Sequence, residues 1–162
     1  MPLMVTPGNH GIETDCCDWS IFKSYEHRFR MPQIQPAVLG YACAERDTAP
    51  PNYKFAGRYD YGNSFYSVTT GPSVFIFLNT YTSSAKNSPQ YLWLKDELAR
   101  VDRRVTPWLF VVAHATIYEP FRKHLKEIPQ NTMKKAMEPL FAQYRVNAFF
   151  CGHDLLYART HP

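Results

Sequence analysis

The sequence predicts a mixed α/β domain, and three observations carry that reading. Short apolar runs alternate with stretches of helical periodicity. Two of the runs, Val74 to Leu78 and Trp108 to Val112, are continuously apolar, as in strands covered on both faces. Histidines stand just past several runs, at the edge where α/β sheets place their sites.

In chain order, Leu3 to Thr6 reads as a short buried strand stopped by Pro7-Gly8. Trp19 to Phe29 carries Ile21, Phe22, Tyr25 and Phe29 near helical spacing. Met31 to Asn63 reads as loop, with Pro32, Pro36, Pro50 and Pro51, and its aromatics are expected to cover a core edge. Ser64 to Val68 alternates like a strand, Gly71-Pro72 turns the chain, and Val74 to Leu78 follows as a buried strand. Pro89 opens a helix, where its missing N–H costs little, with Tyr91, Leu94, Leu98 and Val101 as the apolar stripe. Trp108 to Val112 is the next strand. A helix is expected after Asn131-Thr132, good capping types, with Met133, Met137, Leu140, Phe141 and Tyr144 on one face. Pro139 should kink or split it. Val146 to Cys151 is the last strand, with Cys151 expected as a small buried hydrophobe. A buried strand at the very start needs neighbours on both sides, so the sheet is expected to be incomplete on its N-terminal side.

The chain has 162 residues, enough for one domain, 1–162, with a sizeable core. It is 45% hydrophobic, 15% aromatic and 20% charged, a globular balance rather than a disordered one. No apolar run approaches a membrane span of about 20 residues. Met1 to Val5 has no basic or long apolar segment, so no secretory signal is read there. A net charge of +4 mildly favours anionic substrates. The basic residues are scattered, with Arg103-Arg104 and Lys134-Lys135 only as pairs, which argues against nucleic acid as a partner. The four cysteines, Cys16, Cys17, Cys43 and Cys151, form no Cys-x-x-Cys pair, against a thiolate zinc site. Cys16 or Cys17 paired with Cys43 in an oxidising compartment stays open, as does the oligomeric state.

The chemistry sits in three fragments. His114 directly follows a buried strand, and Gly152-His153 repeats the arrangement after Ala148 to Cys151. Asn9-His10 does so after Leu3 to Thr6. One histidine at a strand end is more often structural than functional, but three fragments at equivalent ends point together to a divalent transition-metal site. Gly8 permits close backbone approach or a positive φ. Asn9 can offer its amide oxygen to a metal while His10 faces a substrate.

Several strings in order then resemble one family. They are Thr6-Pro7-Gly8-Asn9-His10, the YEHRFRMP of Tyr25 to Pro32, Asn63 to Ser67, Phe77 to Tyr81, Pro89 to Leu94, and Thr106 to Leu109. His114-Ala115 with Tyr118, and Gly152-His153 with Tyr157 and Arg159, complete the set. Over Met4 to about Thr160 the chain resembles the purple acid phosphatases, within the calcineurin-like metallophosphoesterases. The resemblance implies an α/β/β/α sandwich, hydrolysis of small phosphate monoesters, and a two-metal centre pairing Fe(III) with Zn, Mn or Fe(II). It implies Asn9, His114 and His153 as ligands of the divalent ion and His10 as the group meeting phosphate and assisting as an acid. It also implies His124, with Lys123 nearby, as a second phosphate contact, and a secreted or lysosomal setting.

Two departures temper that expectation. The family's aspartate and tyrosine motifs would precede Met1, and they supply the bridging carboxylate and ferric ligands. Where the family places a second histidine after Gly-His-x, this sequence has Leu155, which cannot coordinate. Asp154 is adjacent, but neighbours in extended chain point oppositely. The expectation is therefore one weakly held divalent ion, no ferric position, and impaired phosphatase activity. The alternatives are a truncated or degenerate non-catalytic paralogue, or a related phosphodiesterase or nucleotidase.

Overall fold

The computed structural model describes residues 3–12, 22–32, 59–119, 125, 128–154, 157 and 159. They build a four-stranded mixed sheet in the order β1-β2-β3-β4. The elements are a short 3-10 turn at Asn9–Gly11, α1 (Lys23–Arg28), β1 (Tyr66–Thr70), β2 (Ser73–Phe77), α2 (Pro89–Arg100), β3 (Trp108–Val112), α3 (Ile128–Gln143) and β4 (Ala148–Phe150).

β1 and β2 form an antiparallel hairpin in which Thr70 faces Ser73. Gly71 opens its two-residue loop at φ +53°, the left-handed geometry that glycine supplies at the first position of such turns. β2, β3 and β4 run parallel, joined by α2 and α3 as crossovers. Ser88 caps α2 by accepting from the Tyr91 N–H at 3.3 Å, and Pro89 occupies its first turn.

One sheet face packs against both helices. Val74, Ile76 and Leu78 from the β2 side and Leu109 and Val111 from β3 meet Leu94 and Leu98 of α2 and Met133, Met137, Leu140 and Phe141 of α3. The period of 2 in the strands and the i, i+4 spacing in the helices put these residues on facing surfaces. The opposite sheet face is aromatic. Tyr66 stacks on Phe77 at 4.7 Å, and Phe110 lies 5.1 Å from Phe75 and 5.7 Å from Phe150. That face is half exposed at two places, Trp108 at the start of β3 (51%) and Phe150 at the end of β4 (50%).

Four expectations are corrected. Leu3 to Thr6 is no strand: the segment lies outside the sheet, and a side chain, the Tyr66 hydroxyl, meets both backbone groups of Val5. α3 starts at Ile128, ahead of Asn131-Thr132, and the Thr132 hydroxyl bonds back to the Ile128 carbonyl at 2.8 Å. α3 also runs through Pro139 without being split there, with Pro139 itself exposed. Lost backbone bonding there is offset by the buried stripe on either side. Finally, Cys151 is exposed rather than buried. It follows β4, which borders the sheet among the described residues and is covered less than β2 or β3. Partial desolvation, then the Asp154 and Glu119 carboxylates, push its thiol pKa up. The paired-cysteine expectation for Cys16, Cys17 and Cys43 lies outside the described residues, as do Trp19 to Ile21 and residues 33–58.

Candidate metal centre

Parallel strands end in register, so the residues just past them share one edge. The ladder continues beyond the strands: Leu78 N–H donates to Val112 at 2.8 Å, Ala113 N–H to Phe150 at 3.0 Å, and Gly152 N–H to His114 at 2.9 Å. His114 and His153 therefore leave adjacent strand ends side by side. Their rings meet edge to face, with centroids 5.1 Å apart. His153 holds φ +72°, so the chain turns there, and the Asp154 N–H donates to the Gly152 carbonyl at 2.9 Å.

Asn9 arrives from outside the sheet. Pro7 is buried, and Gly8 lies against the His114 ring so closely that a Cβ there would stand 3.1 Å from Cε1. No positive φ is needed at Gly8, which sits at φ −107°. Its glycine identity serves close approach. The 3-10 turn then presents Asn9, and its Oδ1 lies 3.0 Å from His114 Nε2. His153 Nδ1 lies 3.3 Å from the same Nε2. Neighbouring ligand atoms of one ion with bonds of about 2.0–2.1 Å are themselves roughly 2.9–3.4 Å apart for octahedral to tetrahedral angles. The three donors fit a borderline divalent ion in kind, and the two pairs that meet at His114 Nε2 fit one in spacing.

The structure thus brings together Asn9, His114 and His153. His10 is exposed on the same 3-10 turn. His124 and Leu155 lie outside the described residues. His153 is left-handed rather than extended, so strand alternation does not set the direction of Asp154. Even so, among the described residues no group of three or more His, Cys, Asp or Glu side chains is placed to hold an ion. The donor set that converges is neutral.

The residues that hold the edge were not visible as site residues in the sequence. Thr80 Oγ1 accepts the Ala115 N–H at 3.2 Å, and the Tyr81 ring lies 5.9 Å from the His114 ring. Asn79 ties the loop after β2 to α2, its N–H donating to Gln90 Oε1 at 2.7 Å. Behind the site, Glu26 accepts the Asn63 N–H at 2.8 Å and the Tyr59 hydroxyl. Burial first, then this bond to Glu26, raise the Tyr59 pKa far above the usual phenol range. Gly62 packs on the Glu26 carboxylate at φ +56°, leaving no room for a side chain. The strings Tyr25 to Pro32, Asn63 to Ser67 and Phe77 to Tyr81 marked these regions in the sequence without revealing who touches whom.

Comparison with known proteins follows the same lines. A family model described as calcineurin-like phosphoesterase matches residues 1–157. Purple acid phosphatase 23 of Arabidopsis thaliana is 33% identical over 159 residues, covering 98% of this chain and 29% of that protein. A phosphoenolpyruvate phosphatase of Allium cepa is 33% identical over 162 residues, covering 99% of this chain and 29% of that protein. The chain therefore spans under a third of the length of these relatives. A solved purple acid phosphatase from yellow lupin (Lupinus luteus) seeds superposes with a TM-score of 0.50 at 28% identity, over 55% of this chain and 16% of that one.

Proposed function

The chain belongs to the calcineurin-like phosphoesterase family, and from that premise we propose that its sheet edge is the divalent-metal half of a phosphomonoester hydrolase centre. Asn9, His114 and His153 hold the ion, as Zn, Mn or Fe. The observation that carries this is the convergence of Asn9 Oδ1 and His153 Nδ1 on His114 Nε2, at 3.0 and 3.3 Å. When bound, such an ion supplies Lewis acidity toward a phosphate oxygen and toward water. His10, exposed beside Asn9, hydrogen-bonds the phosphate and can protonate the leaving oxygen. His124 is a second phosphate contact in the same reading, carried by the sequence alone. The neutral donor set holds its cation weakly, since among the described residues no carboxylate joins it to balance the charge. Turnover by this chain alone is accordingly slow.

Metal analysis with p-nitrophenyl phosphate turnover tests this. About one weakly held equivalent of Zn or Mn, lost in Asn9→Ala, with turnover below the ordinary enzyme range of about 1–1,000 per second, is the expected result. No binding at millimolar metal would overturn the site, and two tightly held equivalents would overturn the one-ion reading. A second reading is a phosphate-binding module without catalysis, which Leu155 in place of a ligating histidine favours. Phosphate binding without any hydrolysis would select it. Faster cleavage of bis-p-nitrophenyl phosphate than of the monoester would select a diesterase.

A further inference from the structure

The segment Leu3 to Gly8 carries Asn9 to the site, yet among the described residues it belongs to no strand ladder. A backbone leading to a ligand still needs its polar groups satisfied. At Val5 side chains do so. The Tyr66 hydroxyl accepts from the Val5 N–H at 3.1 Å and donates to the Val5 carbonyl at 2.6 Å. One phenol thus occupies both backbone positions that a neighbouring strand would occupy. The Tyr25 hydroxyl also lies 3.2 Å from the Val5 carbonyl and 3.4 Å from that of Asn63. Next along, the Thr6 hydroxyl donates to the Leu78 carbonyl at 2.6 Å.

Tyr66 is well suited to fix a position. Its backbone lies in β1 opposite Phe77, and its ring stacks on Phe77 with planes 12° apart. The hydroxyl is therefore referred to the same sheet that places His114 and His153. A phenol is already a protonated donor at neutral pH, and burial pushes the pKa of both Tyr25 and Tyr66 further up.

We propose that Tyr66, supported by Tyr25, is a positioning residue for Asn9: its hydroxyl clamps Val5 and so fixes where the amide oxygen stands relative to the two histidines. The proposal rests on the metal reading of the site, and it adds the residue that sets the third ligand. Tyr66→Phe removes one oxygen and leaves the stacked ring in place. Tyr144→Phe, on the helix side of the sheet, is the matched control.

Two measurements decide it. The first is a Co2+ titration followed by visible absorption. Wild type and Tyr144→Phe should bind alike, Tyr66→Phe should bind about 10-fold or more weakly, within the range for outer-shell partners, and its spectrum should move toward that of Asn9→Ala. A purely structural role would lower stability without moving the spectrum. The second is amide hydrogen exchange on metal-free protein. Tyr66→Phe should speed exchange over residues 9–12 and leave residues 111–114 unchanged. Wild-type affinity and spectrum together with unchanged exchange in Tyr66→Phe would overturn the clamp. If wild type takes no Co2+, the metal reading falls, and the exchange result alone decides whether Tyr66 positions Asn9.

Discussion

His114 and His153 differ from Asn9 less in chemistry than in what holds them. The two histidines ride on β3 and β4, whose ladder continues past the strands through Ala113 and Gly152. Beneath them lies the core of Ile76, Leu94, Leu98, Leu109 and Met137. Asn9 rides on a segment held by the hydroxyls of Tyr66, Tyr25 and Thr6 and by buried Pro7. A ladder over a core loosens only when much of the domain loosens, whereas side-chain ties can open locally. One constellation thus contains a globally stabilised half and a locally stabilised half. Stability and affinity should separate along that line.

The largest expected effect falls on the histidine half. Leu98→Ala, at a buried position of α2, should cost ~2–5 kcal/mol in urea unfolding. Co2+ affinity of the folded protein should not change. A parallel loss of affinity would erase the distinction between the halves. Next, His114→Ala removes the atom on which both other donors converge. Its Co2+ affinity should fall more than about 100-fold, beyond the range of outer-shell changes, with a much smaller stability loss than Leu98→Ala. Retained binding would show that the ligands had been misidentified.

Gly8→Ala sharpens the contrast from the other side. The new Cβ meets the His114 ring at 3.1 Å while the backbone at φ −107° accepts alanine. Affinity should drop roughly 10-fold, comparable to losing an outer-shell partner, with little change in melting temperature. An alanine variant with wild-type affinity would mean that the ring yields without disturbing Asn9. Smallest, Ser88→Ala removes the α2 cap and should cost ~1 kcal/mol of stability. Isothermal titration should find its metal affinity unchanged.

Much of the histidine half was legible in the sequence, and the reason is local. Trp108 to Val112 was read with the bounds it has, because a continuous apolar run bordered by Pro107 and His114 has few other uses. His114 and His153 were legible because each follows such a run directly. The Asn9 half was only partly legible. Pro7-Gly8-Asn9-His10 announced itself as a string, but the run before it was read as a strand. Leu3 to Thr6 has strand composition, and only tertiary context shows that phenols take the place of a neighbouring strand. Alternation could place Tyr66 on the face it shares with Phe77. It could not say that the hydroxyl, some sixty residues away in sequence, ends on Val5. The start of α3 was misread for a related reason. Asn131 and Thr132 have capping chemistry, yet their side chains reach the Leu125 and Ile128 carbonyls from within the helix.

The left-handed backbone at His153 has a consequence for which sequences this position accepts. Residue 153 answers to two selections at once. Its φ of +72° favours glycine and asparagine, tolerates histidine, and penalises β-branched types. The role proposed for it, as a metal ligand, favours imidazole alone. A saturation library sorted for folded protein should therefore enrich Gly and Asn at 153 ahead of Val, Ile or Thr. The same library sorted on a metal column should return His. Position 114, which carries no such backbone demand, should show only the second preference. Two histidines performing one task would then leave different substitution records.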